Sequence, residues 1–237
     1  MMVVLGSRRG GAYPETVSLY APAPRIDRRL LLVGGGALTL LGGCTGRLRI
    51  DAAPGTPAAM ARAAQDQLGV TTDYDAGYHR LAYPGGDLPR KTGACCDVIV
   101  RAARDGLALD LQKLVHEDMT KAFDAYPSIW GLDGPDVNVD HRRVRNLETY
   151  FKRAGAELWR ADDRRTNGAD FPGELRTGDI LTWLEASGTT HIALVTRGGK
   201  SPVILHNFGQ GVVQHGLGPM GFRRAAAGHY RWPGSIA

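Results

Sequence analysis

The stretch His191-Ile192-Ala193-Leu194-Val195-Thr196-Arg197-Gly198-Gly199-Lys200-Ser201-Pro202-Val203-Ile204-Leu205-His206 contains two apolar runs around a glycine pair. Two such runs joined by Gly-Gly are typical of an antiparallel hairpin. A two-residue turn at Gly198-Gly199 would place His191 directly opposite His206. Side chains that face each other in this way have Cβ atoms roughly 4.5–5.5 Å apart. The stretch therefore predicts that one imidazole orients the other.

The hydrophobic pattern changes along the chain from a helical to a strand period. Apolar residues at helical spacing predict helices over 58–68, 93–105, 109–125 and 142–153. Short apolar runs between Gly-rich turns predict strands over 180–184, 191–196, 203–208, 212–214 and 229–232. Helices followed by antiparallel strands indicate an α+β domain, with helices packed on a small antiparallel sheet.

A vicinal thiol pair, Cys95-Cys96, lies where the second predicted helix begins. A helix N-terminus offers unpaired N–H groups and a partial positive charge, which favour a thiolate and can stabilise an oxyanion. A histidine from the sheet would deprotonate the thiol and later protonate a leaving amine, and a second histidine would fix its orientation. These residues together are the parts of a cysteine hydrolase. Helical geometry alone leaves either Cys95 or Cys96 as the nucleophile.

The N-terminal region has the features of an export signal. A basic stretch at 25–29 precedes 14 mostly apolar or small residues at 30–43, too few for a comfortable transmembrane helix. The ending Leu41-Gly42-Gly43-Cys44 resembles the bacterial lipobox, whose cysteine is lipidated and becomes the new N-terminus. We therefore expect an N-terminal extension and signal peptide at 1–43, a tether at 44–57 and a hydrolase domain at 58–237.

The charge of the chain argues against a nucleic-acid partner. The 237 residues carry a formal charge of +5, but residues 1–43 hold five arginines and only two acidic residues. Without them the charge falls to +2, which is too small for a nucleic-acid footprint. We expect a protein of the periplasm or cell envelope that contacts the membrane through its lipid anchor.

The ordered motifs resemble the papain-like cell-wall peptidases of the NlpC type. In that family a Cys starts a helix within Asp-Cys-Ser-Gly, and a Gly-Asp-hydrophobic turn, here Gly178-Asp179-Ile180, later leads into a strand. A histidine then opens the next strand, here within His191-Ile192-Ala193-Leu194, and a third polar residue follows on the strand after it, here His206. The resemblance covers roughly residues 83–208 and implies a papain-like fold.

The same resemblance assigns the catalytic roles. Matching the Cys-Ser-Gly triplet to Cys95-Cys96-Asp97 makes Cys95 the nucleophile, with His191 as the proton shuttle and His206 as the orienting residue. The chain departs from the family pattern at the cysteine, since Ala94 replaces the preceding Asp and Asp97 replaces the following Gly.

Five blocks of the chain resemble a bacterial envelope family catalogued as the domain of unknown function numbered 1287. They are Tyr83-Pro84-Gly85-Gly86-Asp87, Cys95-Cys96-Asp97-Val98-Ile99-Val100-Arg101-Ala102, Val139-Asp140-His141-Arg142-Arg143, His206-Asn207-Phe208-Gly209-Gln210-Gly211 and Gly228-His229-Tyr230-Arg231. That family is thought to belong to the papain-like superfamily, and its substrate is not settled. The resemblance therefore implies a fold more strongly than an activity.

Several polar residues of these blocks are candidates for substrate binding. They are Tyr83, Asp97, Asp140, His141, Arg142, Arg143 and Asn207. The arginine pair suits a substrate carboxylate, which it would hold by bidentate bonds. In the structural alternative, Asp140 caps the helix predicted over 142–153 and the arginines face water. Asp97 is expected to cap its own helix or to pair with an arginine.

We expect amide hydrolysis in peptidoglycan stem peptides, without a metal or other cofactor. A zinc hydrolase with Cys95, His191 and His206 as ligands is one alternative, although the chain has no HExxH motif or paired CxxC. A catalytically inactive module that binds cell-wall fragments is another. A vicinal disulfide would strain the backbone and silence the thiol. The remaining histidines His79, His116 and His215 are expected to be solvated.

Overall fold

A computed structural model of the chain describes residues 52–162, 167–222 and 224–233. These residues belong to one compact unit, 46–237. The predicted signal segment 1–43 and the predicted lipidation site Cys44 lie outside the described residues, as does the tether up to residue 51. Within the described ranges, none of the helices combines the length and the apolar character that a membrane crossing requires.

Four α-helices occur in the described residues. They are α1 (Pro57–Gln65), α2 (Cys95–Leu107), α3 (Leu111–Lys121) and α4 (Val144–Arg153). The side chains of Thr56 and Asp110 accept backbone N–H groups of the first turns of α1 and α3, so both helices begin at true N-caps. The predicted third helix extends too far, because α3 ends at Lys121 and a separate 3-10 turn follows at Phe123–Ala125.

The strands form one six-stranded antiparallel sheet and one short parallel pair. In chain order they are β1 (Asp73–Tyr74), β2 (Thr92–Gly93), β3 (Glu157–Arg160), β4 (Ile180–Glu185), β5 (Thr190–Arg197), β6 (Val203–Asn207), β7 (Val212–Gly216) and β8 (Arg224–Tyr230). The large sheet has the order β3-β8-β4-β5-β6-β7, and β1 pairs with β2 in parallel. The α+β prediction is confirmed.

The predicted hairpin forms, but the predicted register is wrong. Leu194 lies opposite Leu205 and Val195 opposite Ile204, and the pairing then shifts by one residue near Thr196. The connection spans residues 198–202 rather than two glycines. Continued toward the other end of the hairpin, this register leaves His191 as the diagonal neighbour of His206, still within reach of a ring.

Helix α2 is held close to both α1 and the sheet. The sheet face that carries Ile192, Leu194 and Leu205 shares a hydrophobic core with α2 and the other helices. Gly106 of α2 lies against α1 so closely that a Cβ there would approach the Ala59 carbonyl oxygen to 2.6 Å. Close packing of this kind leaves little freedom for a helix to shift, so the N-terminus of α2 has a fixed position beside β5 and β6.

Candidate active site

The first residue of α2 is Cys95. Its predecessor Ala94 is extended, and the Ala94 N–H donates to the Asp97 carboxylate at 2.6 Å, which secures the start of the helix. Cys95 is only 5% exposed and Cys96 is 1% exposed, and both are free thiols. The Cys95 thiol therefore lies at the positive end of a helix, as a reactive thiolate requires.

The pKa values of the two neighbouring thiols are shifted in opposite directions. A hydrogen bond with the Cys96 thiol holds the pKa of Cys95 well below its usual range, and His191 and the backbone N–H of Ile192 lower it further against the effect of burial. The hydrogen bond with Cys95, together with burial, raises the pKa of Cys96 well above its usual range. Only the thiolate is a strong nucleophile, so the electrostatics favour Cys95, which helical geometry alone could not choose.

The two predicted histidines form a hydrogen-bonded pair. Nε2 of His191 lies 2.6 Å from Nδ1 of His206, and the rings meet edge to face with centroids 4.8 Å apart. The Phe208 ring contacts His191 edge-on at 4.9 Å, and His191 is only 3% exposed. Since its Nε2 is used by His206 and the ring also interacts with Cys95, Nδ1 is the nitrogen left for the thiol. Cys95, His191 and His206 are thus brought together.

A fourth residue, His215, extends this row of imidazoles. Its Nε2 lies 2.8 Å from Nε2 of His206, and its Nδ1 lies 2.7 Å from the carbonyl oxygen of Gly216. His215 is half-buried and in part solvated, as predicted, but the prediction missed its contact with His206. The predicted strand ended at residue 214, whereas β7 continues through His215. Val213 lies opposite His206, and His215, two positions further along, lies on the same face of the sheet. A strand extended by two residues would have indicated this contact.

The arrangement of the histidines does not suit a shared zinc ion. Two ligand atoms on a tetrahedral zinc are about 3.3 Å apart, since each Zn–N bond is about 2.0–2.1 Å. The 2.6 Å between His191 and His206 is instead a short hydrogen bond. No group of three or more His, Cys, Asp or Glu side chains within 52–162, 167–222 and 224–233 is placed to hold a metal ion.

Arg142 binds a carboxylate of the protein itself. Its Nε and Nη2 donate to the two oxygens of Asp97, each at 3.0 Å. Its remaining bonds go to the carbonyl oxygens of Gly77 at 2.5 Å and Asp75 at 2.7 Å. The guanidinium predicted to hold a substrate carboxylate therefore uses four of its five N–H donors within the protein, two of them on the residue that fixes the start of α2. Asp97 caps this helix and pairs with an arginine, as the structural alternative expected.

The neighbours of Arg142 also make internal contacts. Asp140 lies in a 3-10 turn, where it accepts the Asp136 N–H, and burial raises its pKa. The prediction that Asp140 caps α4 is wrong, because Arg143 occupies the N-cap position. The Arg143 guanidinium lies 4.3 Å from the centre of the Trp130 ring. Burial lowers the pKa of His141 to about 4. Substrate contact at these positions stays a prediction.

The last two candidate binding residues, Asn207 and Tyr83, differ in exposure. Asn207 is fully buried at the end of β6, where its Nδ2 donates to the Gly93 carbonyl at 2.7 Å and so ties β6 to the segment before Cys95. Its Oδ1 has no partner among the described residues. Tyr83 is 40% exposed and contacts His116 edge-on at 5.0 Å.

We predict that the reaction of Cys95 with iodoacetamide depends only weakly on pH. Because its pKa is lowered, its alkylation rate should fall less between pH 8 and pH 6 than that of an ordinary thiol. An ordinary thiol with a pKa of about 8.5 would slow roughly tenfold per pH unit. Tandem mass spectrometry of the alkylated peptide distinguishes Cys95 from Cys96, which serves as the internal control. Preferential labelling of Cys96, or a tenfold decline per unit at Cys95, would contradict the assignment.

Comparison with known proteins identifies the family. The family model described as "Domain of unknown function (DUF1287)" matches residues 61–232. The chain is also 42% identical over 180 residues to "Uncharacterized protein YijF" of Escherichia coli (strain K12). The aligned region covers 75% of this chain and 82% of that protein. No solved structure matches. The resemblance drawn from the five sequence blocks is confirmed, and the chain belongs to the DUF1287 family.

Proposed function

We propose that this protein is an envelope-anchored cysteine hydrolase that cleaves amide bonds, with peptidoglycan stem peptides as its substrate. One observation carries the proposal: Cys95 begins α2 and interacts with His191, whose Nε2 is 2.6 Å from Nδ1 of His206. A nucleophile, a base and a residue that orients the base are the minimum that acyl transfer by a thiol requires.

The residues support a two-step reaction. The Cys95 thiolate attacks the amide carbonyl carbon, and free N–H groups at the start of α2 stabilise the oxyanion. The C–N bond then breaks as His191 donates its proton to the leaving amine, which leaves a thioester on Cys95. In the second step His191 takes a proton from water, the hydroxide attacks the thioester, and the carboxylic acid leaves with the thiolate restored.

The proposed fold is papain-like, of the NlpC type. The order of its parts supports this, since a cysteine at a helix start is followed by two antiparallel strands that carry the two histidines. The Gly-Asp turn before β4 also has a structural role here. Asp179 is buried and accepts hydrogen bonds from His229 at 2.8 Å and from Arg231 at 2.8 Å, which fixes the first strand of this unit.

The proposed location and substrate rest on the sequence. The basic and apolar segments at 25–43, followed by Cys44, support export and lipid attachment. An exported hydrolase held at a membrane surface meets peptidoglycan, whose stem peptides supply amide bonds. Peptidoglycan is therefore the proposed partner, and the lipid anchor is the proposed membrane contact.

A second candidate function is a cell-wall binding module without catalysis. The burial of Cys95 and His191 favours it, because a substrate carbonyl must reach both residues. Such a protein would keep the fold and the histidine pair while holding wall fragments elsewhere on its surface.

Digestion of purified cell wall tests the proposal. The full chain is incubated with peptidoglycan sacculi, and newly formed amino groups are measured with time. One sample of the protein is first alkylated at Cys95 with iodoacetamide, and another is treated with a chelator. We expect amino groups to appear in the untreated and chelated samples but not in the alkylated one, because the thiolate is the nucleophile.

The other outcomes identify the alternatives. Release that the chelator stops and alkylation does not would indicate a zinc hydrolase and overturn the thiol mechanism. Sacculi that retain the protein in a pull-down but release no amino groups would indicate the binding module. Release that neither treatment affects would also overturn the thiol mechanism.

A further inference from the structure

His191, His206 and His215 form a row of hydrogen-bonded rings. The bond that His215 makes with a carbonyl oxygen fixes the direction of the other hydrogen bonds in this row. A carbonyl oxygen can only accept a hydrogen bond, so Nδ1 of His215, 2.7 Å from the Gly216 oxygen, carries a proton. A neutral imidazole has one donor and one acceptor. Nε2 of neutral His215 is therefore an acceptor, and the facing Nε2 of His206, 2.8 Å away, is the donor.

The same rule fixes the direction of the next hydrogen bond, between His206 and His191. Burial lowers the pKa of His206 to about 2, so this ring stays neutral. With its proton on Nε2, His206 presents a lone pair at Nδ1. The facing Nε2 of His191, 2.6 Å away, must then donate. The remaining nitrogen of neutral His191, Nδ1, is left as an acceptor on the side of Cys95.

We propose that His215, anchored on the Gly216 carbonyl, is a positioning residue that imposes on His191 the tautomer able to accept the Cys95 proton. The inference rests on the proposed function for its catalytic consequence, since a base matters only if Cys95 is the nucleophile. Its structural part, the direction of the hydrogen bonds, stands on the geometry of the three imidazoles and one carbonyl.

The opposite direction would be unfavourable at both ends. In the opposite direction the Nδ1–H of His206 would face Nε2 of His191, so the imidazolium that pairs with the Cys95 thiolate would bring two N–H donors together in a buried site. At the outer end, the lone pair on Nδ1 of His215 would face the Gly216 oxygen, which would bring two acceptors together.

This arrangement also serves the proton transfer. When the Cys95 proton moves to Nδ1 of His191, the ring becomes an imidazolium with an N–H at each nitrogen. Its Nε2–H already points to the lone pair of His206, so no other proton has to move. The new positive charge is next to a neutral acceptor, which stabilises it.

Nitrogen-15 NMR of the histidines tests the direction. The full chain with Cys95→Ala is measured at pH 8, where ordinary histidines are neutral and no thiolate can attract a proton. We expect the His191 proton on Nε2, and we expect a mixture of tautomers once His215→Leu is added. A His191 proton on Nδ1 while His215 is present, or a tautomer unaffected by His215→Leu, would overturn the proposal.

Alkylation of Cys95 at pH 7 tests the consequence in the otherwise unsubstituted chain. Loss of a residue that orients a metal-bound histidine commonly costs 10- to 100-fold in affinity or activity, and by analogy we expect His215→Leu to slow iodoacetamide labelling by about tenfold. His215→Gln should restore the rate to within about threefold, because its Oε1 can accept from His206. The control is Leu158→Thr, at an exposed position of β3 on the other edge of the sheet, which should react like the unsubstituted protein.

The two alkylation outcomes that would contradict the role are distinct. Labelling of His215→Leu at the unsubstituted rate would show that His215 does not act on the thiol. Equal slowing by Gln and Leu would show that the acceptor is not what matters. Neither readout uses peptidoglycan, so a protein that fails to cleave cell wall would defeat the proposed function while the test of His215 still gives its own answer.

Discussion

Cys95→Ala is expected to slow the hydrolysis of amide bonds in cell wall on the order of a thousandfold or more, whereas Cys96→Ala should slow it only several-fold. The first substitution removes the attacking atom. The second removes a hydrogen bond to the Cys95 thiolate, which is the largest cause of its lowered pKa. Without that bond a smaller fraction of Cys95 is ionised at pH 7, but the nucleophile remains. Initial rates of amino-group formation from purified sacculi measure both effects.

Cys95→Ser provides a matched control for this prediction. It preserves the shape and a hydrogen-bonding group at the start of α2 but replaces the thiolate by a hydroxyl of much higher pKa, so it should be nearly as inactive as the alanine variant. Circular dichroism and the unfolding midpoint would show that all three variants are folded. If Cys96→Ala were the inactive variant and Cys95→Ala retained activity, the roles of the two thiols would be reversed.

The helix and strand pattern was readable because it depends on local sequence. The start of α2 at the thiol pair follows from the apolar periodicity after Cys95, and β4, β5 and β6 follow from short apolar runs between glycines. The sequence pattern does not predict strand β3 or the first five residues of β8. This part of β8 contains Ala225-Ala226-Ala227-Gly228, whose residues have low strand propensity, so its pairing with both β3 and β4 determines its conformation.

The hairpin shows how a correct contact can follow from an incorrect register. The predicted register requires that Gly198 and Gly199 form the whole turn. The shift near Thr196 and the longer connection up to Pro202 change the pairing by two positions along the strand. His191 and His206 nevertheless meet, because a two-position change keeps both side chains on the same face of the sheet.

The contacts of Arg142 were beyond sequence reasoning for a different reason. Asp97 lies 45 positions earlier in the chain, and Asp75 and Gly77 lie still further away. A pair of adjacent arginines is compatible with a solvated surface, a substrate site or a buried ion pair. Only the tertiary fold brings one of them to the N-terminus of α2 and leaves the other over Trp130.

The Arg142 contacts lead to the second large expected effect: Arg142→Leu should destabilise the protein by about 3–5 kcal/mol. Leucine cannot replace the two hydrogen bonds to Asp97 or those to the carbonyl oxygens of Asp75 and Gly77. The buried Asp97 carboxylate would lose both bonds to Arg142 and keep the one from the Ala94 N–H. For a domain of this size the unfolding midpoint should fall by roughly 6–20 °C. Thermal unfolding followed by circular dichroism measures the change.

A second substitution separates the unpaired charge from the lost packing. Asn at position 97 keeps an oxygen for the Ala94 N–H but carries no charge, so Asp97→Asn combined with Arg142→Leu should be more stable than Arg142→Leu alone by about 1–2 kcal/mol. Lys113→Gln breaks the exposed Lys113–Glu117 pair, whose atoms are 2.9 Å apart, and should leave the midpoint nearly unchanged because water screens that pair. If Arg142→Leu changed the midpoint no more than Lys113→Gln, the ion pair would not be what holds the start of α2. The cysteine would then owe its position to the packing of α2 alone.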